Sequence, residues 1–201
     1  MRYLPILFSA WCISCGDNAG STHHTETDTS TTIPGNEMNT IMHRMMEQMN
    51  GVPSSGSADR DFAALMKVHH EAAVEMARAE LTFGNDQTMK NMAEIIISDQ
   101  EKEIRIFDSV LRSDSAMAIT GDAFYREMKS LMQHPASEKI LTTDVAFASA
   151  TIPHHQGAID MSTAYRRYGK HPRLLQLAST IIESQKQEIT QLQSWLMNQK
   201  Q

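Results

Sequence analysis

The chain has 201 residues, of which 41% are hydrophobic and 21% are charged, values that are typical of a globular domain. Its 24 acidic and 18 basic residues give a net charge of −6, and no basic stripe is present, so nucleic-acid binding has no electrostatic support. Methionine is abundant, with 15 residues, whereas the two cysteines, Cys12 and Cys15, lie in the first segment. Metal chemistry in the folded body would therefore use His, Met and carboxylate side chains.

The N-terminal segment has the pattern of an export signal. Arg2 precedes an apolar run at residues 3–13, which is too short to remain as a membrane-spanning helix. Residues 14–17 resemble a lipobox, which predicts a signal peptide at 1–14 and lipidation of Cys15. Cys12 stands where a lipobox usually has leucine, and an ordinary cleaved signal is the alternative. Either reading predicts a periplasmic or envelope location, and the absence of Asp directly after Cys15 favours anchoring at the outer membrane.

The following segment, residues 15–35, is rich in Gly, Ser, Thr and Asp and predicts a flexible tether. The folded body is then residues 36–201, which begin with a short helix predicted at about 37–50. Five methionines share one face of that helix: Met38, Met42, Met45, Met46 and Met49. That face either docks on the rest of the domain or forms, with His43, an accessory cluster that collects Cu(I).

An internal duplication organises the body. His69 and His70 recur 85 residues later as His154 and His155. The same offset pairs further residues without gaps: Phe62/Phe147, Ala73/Ala158, Met76/Met161, Gly84/Gly169, Ile96/Ile181, Gln100/Gln185, Glu103/Glu188 and Leu111/Leu196. A register kept over this length predicts two repeat units, at about residues 36–114 and 115–201.

Each repeat unit predicts a helical hairpin. In the first unit, Gly84 is predicted to end one helix in the left-handed conformation, and Asp86 to cap the next. In the second unit, Gly169 ends one helix and Pro172 begins the next. A second short helix is predicted at about residues 122–133, before the second hairpin.

Two hairpins supply four main helices, none of which can bury its apolar stripe alone. The sequence therefore predicts an all-α fold, a four-helix bundle with a shorter helix before each hairpin. Ser57 or Asp59 is predicted to cap the first main helix. Pro153 either begins the corresponding helix of the second unit or kinks it.

The repeated motif, His-His-x-x-Ala-x-x-Met, carries the candidate chemistry. On a helix, Met66, His69 and Met76 share a face, and His70 lies about 100° round. Imidazole and thioether groups suit copper, and thioethers favour Cu(I). Four residues of the partner helices could orient the imidazoles by hydrogen bonding: Gln100, Glu103, Gln185 and Glu188. The structural alternative is that the histidines are hydrogen-bonded and the methionines fill the core.

This motif, followed by Gly and then Gln-x-x-Glu-Ile, resembles the ferritin-like bacterial envelope proteins known as a domain of unknown function, the DUF305 family. The resemblance extends over about residues 59–197 and implies a periplasmic or lipid-anchored helical bundle that binds copper. The matching ligand positions are His69, His70 and Met76 in the first copy, and His154, His155 and Met161 in the second. Family motifs often begin Met-Ile-Pro. Here the copies read Met66-Lys67-Val68 and Thr151-Ile152-Pro153, so equal metal affinity of the two copies is not expected.

The predicted function is the sequestration or buffering of copper, as Cu(I) and secondarily Cu(II) or Ag(I). A di-iron oxidase would need Glu-x-x-His pairs, and no glutamate stands three positions before any motif histidine. No nucleophile with its base and no phosphate loop is recognisable, so an enzyme is not expected. The alternative is a metal-free envelope interaction module with methionine-rich surfaces. Metal binding predicts that His69 and His154 point into a shared polar pocket. The alternative predicts histidines that are capped by protein hydrogen bonds, together with an exposed methionine patch. A copper-transfer partner and the oligomeric state are not specified by the sequence.

Overall fold

A computed structural model describes residues 36–113, 117–131 and 142–199. The predicted signal peptide, Cys15 and the tether lie outside the described residues. Within those ranges the chain forms six helices and no strand: α1 Glu37–Gly51, α2 Ala58–Phe83, α3 Gln87–Arg112, α4 Ala123–Leu131, α5 Thr143–Tyr168 and α6 Pro172–Asn198. The predicted all-α class and the two helical hairpins, α2–α3 and α5–α6, are therefore confirmed. No helix in the described ranges is both long enough and apolar enough to cross a membrane.

The two helices that carry the histidine motifs lie at the centre of the fold. Each contacts its hairpin partner, and α2 and α5 also contact each other. The short helices α1 and α4 both pack on α2 and α5. Because every other helix rests on α2 or α5, their buried residues are the ones around which a site can be built.

An aromatic cluster joins four of the helices. The ring of Phe62 on α2 stacks on Tyr165 of α5, with centroids 4.0 Å apart and an interplanar angle of 8°. Phe107 of α3 and Phe124 of α4 meet the same Phe62 ring edge-on, at 5.8 and 6.4 Å. All four side chains are fully buried. Such pairs add about 0.5–1.5 kcal/mol each beyond the area that they bury, which fixes α2 and α5 relative to their neighbours.

Helix ends follow the predicted signals in most places. The Asp86 side chain accepts a hydrogen bond from the Met89 amide at 3.0 Å and so caps α3. Pro172 is the first residue of α6. Ser57 is the N-cap residue of α2, although its side chain makes no capping hydrogen bond. Pro153 lies inside α5, ten residues after the helix begins at Thr143, so it does not start that helix.

The prediction that Gly84 is left-handed was wrong. Gly84 has φ −70° and Gly169 has φ −65°, so neither is left-handed. A Cβ atom at Gly84 would instead lie 2.1 Å from Oε1 of Glu80, and one at Gly169 would lie 2.3 Å from Cζ of Tyr165. Glycine is required at both turns because a buried side chain from the preceding helical turn passes directly over the backbone.

Each hairpin turn is capped by a carboxylate from the other hairpin. Asp59, in the first turn of α2, accepts hydrogen bonds from the Tyr165 hydroxyl at 2.5 Å and from the amides of residues 170–171 at 2.8 and 3.1 Å. Asp144, in the first turn of α5, accepts from the amides of residues 85–86 at 2.8 and 2.7 Å. The predicted alternative that Asp59 caps its own helix is therefore wrong. Its carboxylate satisfies the α5–α6 turn instead.

The two turns differ in the group that lies over the glycine. Burial and the nearby Asp144 carboxyl raise the pKa of Glu80 to about 8. Burial also acts to raise the pKa of Asp144, but hydrogen bonds from the amides of residues 85–86 hold it below its ordinary value. In the second hairpin the equivalent of Glu80 is Tyr165. Its pKa is raised by burial and by the hydrogen bond to Asp59.

Candidate metal centre

The methionine face of α1 lies against α2 and α5. Met38, Met42, Met45 and Met49 are buried and Met46 is half-buried, so the prediction that this face docks on the bundle is confirmed. The side chain of His43 points away from it and is 76% exposed, with Nδ1 3.7 Å from Oε1 of Glu47. The structure thus separates His43 from the four methionines with which the sequence grouped it.

A small cavity lies where α1 meets α2 and α5. Nine of the described residues line it: Met42, Met45, Met46 and Met49 from α1, His69 from α2, Leu131 from α4, and His154, Gly157 and Met161 from α5. We call it the methionine–histidine cavity. Its volume is about 10 Å³, which is about the room that one water molecule needs. It therefore has room for at most one small ion and not for a metal cluster.

One histidine from each repeat meets in this cavity. The rings of His69 and His154 have centroids 3.7 Å apart and are tilted by 37°. Nε2 of His154 lies 2.9 Å from the main-chain oxygen of His69. Both side chains are buried, with 3% and 1% of the residue surface exposed. The two histidines therefore share a pocket, but its lining is mainly thioether and hydrocarbon rather than polar as predicted.

The second histidine of each pair faces its own hairpin partner. Nε2 of His70 lies 2.7 Å from Oε2 of Glu103 on α3, within hydrogen-bond geometry. Nε2 of His155 lies 2.6 Å from Oε2 of Glu188 on α6, but with poorer alignment than a hydrogen bond requires. Both imidazoles are fully buried. The predicted orienting glutamates thus contact the second histidine of each pair, not the first.

The remaining predicted residues do not meet at the cavity. Met66 and Met76 are fully buried in the hydrophobic core and are absent from the cavity lining, whereas Met161, the equivalent of Met76, lines it. Gln100 and Gln185 are also buried. Within the described part of the chain, the Gln100 side-chain amide has no hydrogen-bond partner.

Sequence reasoning missed two residues of the cavity lining. Leu131, the last residue of α4, carries no chemical signal. Gly157 could have been identified from the sequence, because it stands three residues after His154, where the first copy of the motif has Ala72. A glycine in place of alanine leaves the surface of α5 open at the cavity.

Among the described residues, the donors that line the cavity are five thioethers and two imidazoles. In the described ranges, no group of three His, Cys, Asp or Glu side chains comes together to hold a metal ion. Thioether sulfur is a soft ligand that selects Cu(I), and imidazole suits copper in general. The residues that line the cavity therefore fit Cu(I) and the similarly soft Ag(I).

The sequence profile of one family, described as "Domain of unknown function (DUF305)", matches residues 7–111 and 114–201. Each of the two matches spans one of the repeat units. None of the curated proteins matches the chain.

Solved structures resemble the chain over most of its length. CopM in the Ag-bound form is 28% identical, with a TM-score of 0.56, over 70% of this chain and 95% of that chain. CopM in the Cu(I)-bound form is 28% identical, with a TM-score of 0.54, over 70% of this chain and 96% of that chain. A DUF305 protein from Streptomyces coelicolor, described as secreted, is 22% identical, with a TM-score of 0.58, over 72% of this chain and 95% of that chain. This last likeness concerns the fold alone.

Proposed function

Because the chain belongs to the DUF305 family, we propose that it binds copper as Cu(I) in the methionine–histidine cavity and sequesters or buffers it in the cell envelope. Ag(I) is the second ion of the same class. The observation that carries the proposal is the convergence of α1 thioethers with one histidine from each repeat on a single cavity. CopM has been crystallised in Ag-bound and Cu(I)-bound forms, each of which is 28% identical to this chain. It has also been crystallised in a Cu(II)-bound form, which is 27% identical.

The charge of the cavity lining favours a monovalent ion. None of the described residues that line the cavity is a carboxylate, and both thioethers and neutral imidazoles are uncharged ligands. Transferring a divalent ion from water into such a site costs more than transferring a monovalent one, because no negative charge compensates it. We therefore assign Cu(I), rather than Cu(II), as the tightly bound state.

We propose one site, shared by the two repeats, rather than two equivalent sites. Its donors are His69, His154 and Met161, with methionines of α1. His70 and His155, which contact glutamates of α3 and α6, are proposed to hold α2 and α5 in place rather than to bind metal. Met66 and Met76, packed in the core away from the cavity, are proposed as structural residues.

The location of the protein follows from the N-terminal segment. We propose that Cys15 carries a lipid and that residues 15–35 tether the bundle to the membrane, so that it meets copper outside the cytoplasm. Labelled palmitate should be incorporated into the wild-type protein and not into Cys15→Ser. Incorporation into both would contradict the anchor while leaving the metal site untouched.

The experiment that tests the function is a titration with Cu(I) in the presence of a competing chelator, which reads bound metal per chain. We expect one tightly bound ion in the wild type and a large loss of affinity in the double variant His69→Ala/His154→Ala, with helicity retained by circular dichroism. His43→Ala is the matched control, because this exposed histidine lies outside the cavity. Unchanged binding in the double variant would contradict the site.

The metal-free interaction module makes a different prediction, which the burial of the methionines does not support. Its prediction of histidines capped by protein groups agrees with the contacts of His70 with Glu103 and of His154 with the main chain of His69. It also requires an exposed methionine patch, whereas four methionines of the α1 face are buried and Met46 is half-buried. Absence of Cu(I) and Cu(II) binding to the wild type would nevertheless make it the better description.

A further inference from the structure

The contact between His154 and the backbone of α2 determines where that histidine carries its proton. Nε2 of His154 lies 2.9 Å from the main-chain oxygen of His69. A carbonyl oxygen can only accept, so the nitrogen that faces it must carry the hydrogen. In a neutral imidazole the other nitrogen, Nδ1, then has the lone pair.

We infer that His154 binds the metal ion through Nδ1, with its tautomer fixed by the main-chain carbonyl of His69. The inference rests on the proposed function and names the ligating atom and the group that selects it. The main-chain carbonyl of His69, in the first repeat, thus positions His154, the proposed ligand from the second repeat.

Burial makes this tautomer difficult to exchange. His154 is 1% exposed, so bulk water does not compete with the carbonyl as hydrogen-bond partner. Moving the proton to Nδ1 would place the Nε2 lone pair against a carbonyl oxygen in a buried site. A buried acceptor that is left without a donor destabilises the folded protein. Binding through Nε2 would require the same loss, because the ion would have to displace the carbonyl.

The lining of the cavity agrees with an Nδ1 ligand. In an imidazole, Nδ1 is nearer the main chain than Nε2, so an ion held there lies close to the helix that bears the histidine. Three lining residues come from α5, His154, Gly157 and Met161, and only His69 comes from α2. The spacing of three and seven residues places these α5 positions on one helix face. Gly157 presents no side chain between them.

The tautomer can be measured before metal is added. In protein labelled with ¹⁵N in the imidazole rings, long-range ¹H–¹⁵N correlations distinguish a protonated from an unprotonated ring nitrogen. We expect His154 to show a protonated Nε2 and an unprotonated Nδ1 in the metal-free protein. An Nδ1–H tautomer would overturn the inference.

Silver then identifies the ligating atom, because its two natural isotopes couple to a bound ¹⁵N nucleus. With one equivalent of Ag(I), we expect splitting at Nδ1 of His154 and an unchanged Nε2–H. Splitting at Nε2 would overturn the inference and leave the proposed function intact. If the methionine methyl signals shift without splitting at either nitrogen, the inference fails alone. If neither responds, the proposed function fails as well.

A variant separates positioning from binding. His154→Gln places an amide nitrogen near the ε position, where it can still donate to the His69 carbonyl, but supplies no δ nitrogen. We expect its thermal stability to stay near that of the wild type while Ag(I) affinity falls by about tenfold or more. Undiminished affinity would overturn the inference. The wild-type spectra supply the tautomer and the coupling even if this variant does not fold.

Discussion

The two repeats keep the same scaffold but contribute unequally to the cavity. Asp59 and Asp144, 85 positions apart, make equivalent caps, and His70 and His155 contact equivalent glutamates. At the cavity, by contrast, five described lining residues belong to the first repeat, four of them methionines of α1 and only His69 from α2. Four belong to the second repeat, three of them from α5. Positions that hold the helices together thus play the same part in both copies, whereas the motif methionines, although present in both copies, do not both line the cavity.

The caps give the largest effect by which this comparison can be tested. Asp59→Ala removes the acceptor of two amides and of the buried Tyr165 hydroxyl. We expect it to lower the free energy of unfolding by about 3 kcal/mol, because hydrogen bonds to a charged group are lost and a buried donor remains. Asp144→Ala should cost less, since Asp144 accepts from two amides and also disfavours ionisation of Glu80.

Urea unfolding of both variants measures this difference, with Asp59→Asn as the isosteric control, which retains one acceptor oxygen. Equal losses for Asp59→Ala and Asp144→Ala would show that the two caps are interchangeable and that Tyr165 adds nothing.

The methionines of the two motifs give the next largest effect. Met161→Leu removes a thioether from the cavity, and we expect the affinity for Ag(I) or Cu(I) to fall by about ten- to a hundredfold. Met76→Leu, at the equivalent position in the core, should leave affinity unchanged. Each swap conserves volume and should cost less than about 1.5 kcal/mol of stability. Competition titrations measure the affinities, and an equal fall in both variants would mean that the site is symmetric.

The difference between Glu80 and Tyr165 predicts a pH dependence that only the first repeat provides. The folded protein keeps the Glu80 proton up to about pH 8, whereas the unfolded chain loses it near 4.5. The native state therefore binds more protons between these values, and the free energy of unfolding falls as pH rises through this window. Above about pH 8 this contribution becomes constant.

Glu80→Gln should remove that slope, as measured by urea unfolding at intervals from about pH 5 to about pH 9. Asp144, whose pKa is lowered, changes stability only in more acidic solution. An unchanged slope in Glu80→Gln would show that another group carries the dependence.

The smallest effect concerns a surface ion pair that the second repeat lacks. Nζ of Lys67 lies 2.7 Å from Oδ1 of Asp108, and this contact lowers the pKa of Asp108. The equivalent residues are Ile152 and Gln193. Lys67→Ile should change stability by less than about 1 kcal/mol, and by less still at high salt, because both groups are partly exposed. Carbon-detected titration of Asp108 should show its pKa rising toward the ordinary value.

Much of the fold could be predicted because its signals are local or repeated. The all-α class and the two hairpins follow from apolar periodicity, the cap at Asp86 and the proline at the start of α6. The docking of α1 followed from methionines at helical spacing. The residues that line the cavity could be predicted only in part. Periodicity groups Met66, His69 and Met76 on one face but does not give the angle at which α2 crosses α5, and that angle decides which of them reach the cavity.

Other features depend on contacts between segments far apart in the chain. The partners of Asp59 lie 106 to 112 residues away, so no local pattern reports them. The sequence predicted that Gly84 ends the first helix of the hairpin. It did not predict the reason, because the position of the buried Glu80 side chain over the Gly84 backbone cannot be read from the sequence.

The reciprocal caps also describe how such a chain could have arisen. Asp59 reaches the turn of the second hairpin, and Asp144 reaches the turn of the first, through equivalent amides. This is the contact pattern of an isologous homodimer, in which a residue of each subunit meets the same surface of the other. Two identical single hairpins would satisfy both caps by symmetry. Fusion into one chain releases the copies from that symmetry, so that a ligand can be placed on one side without a counterpart on the other.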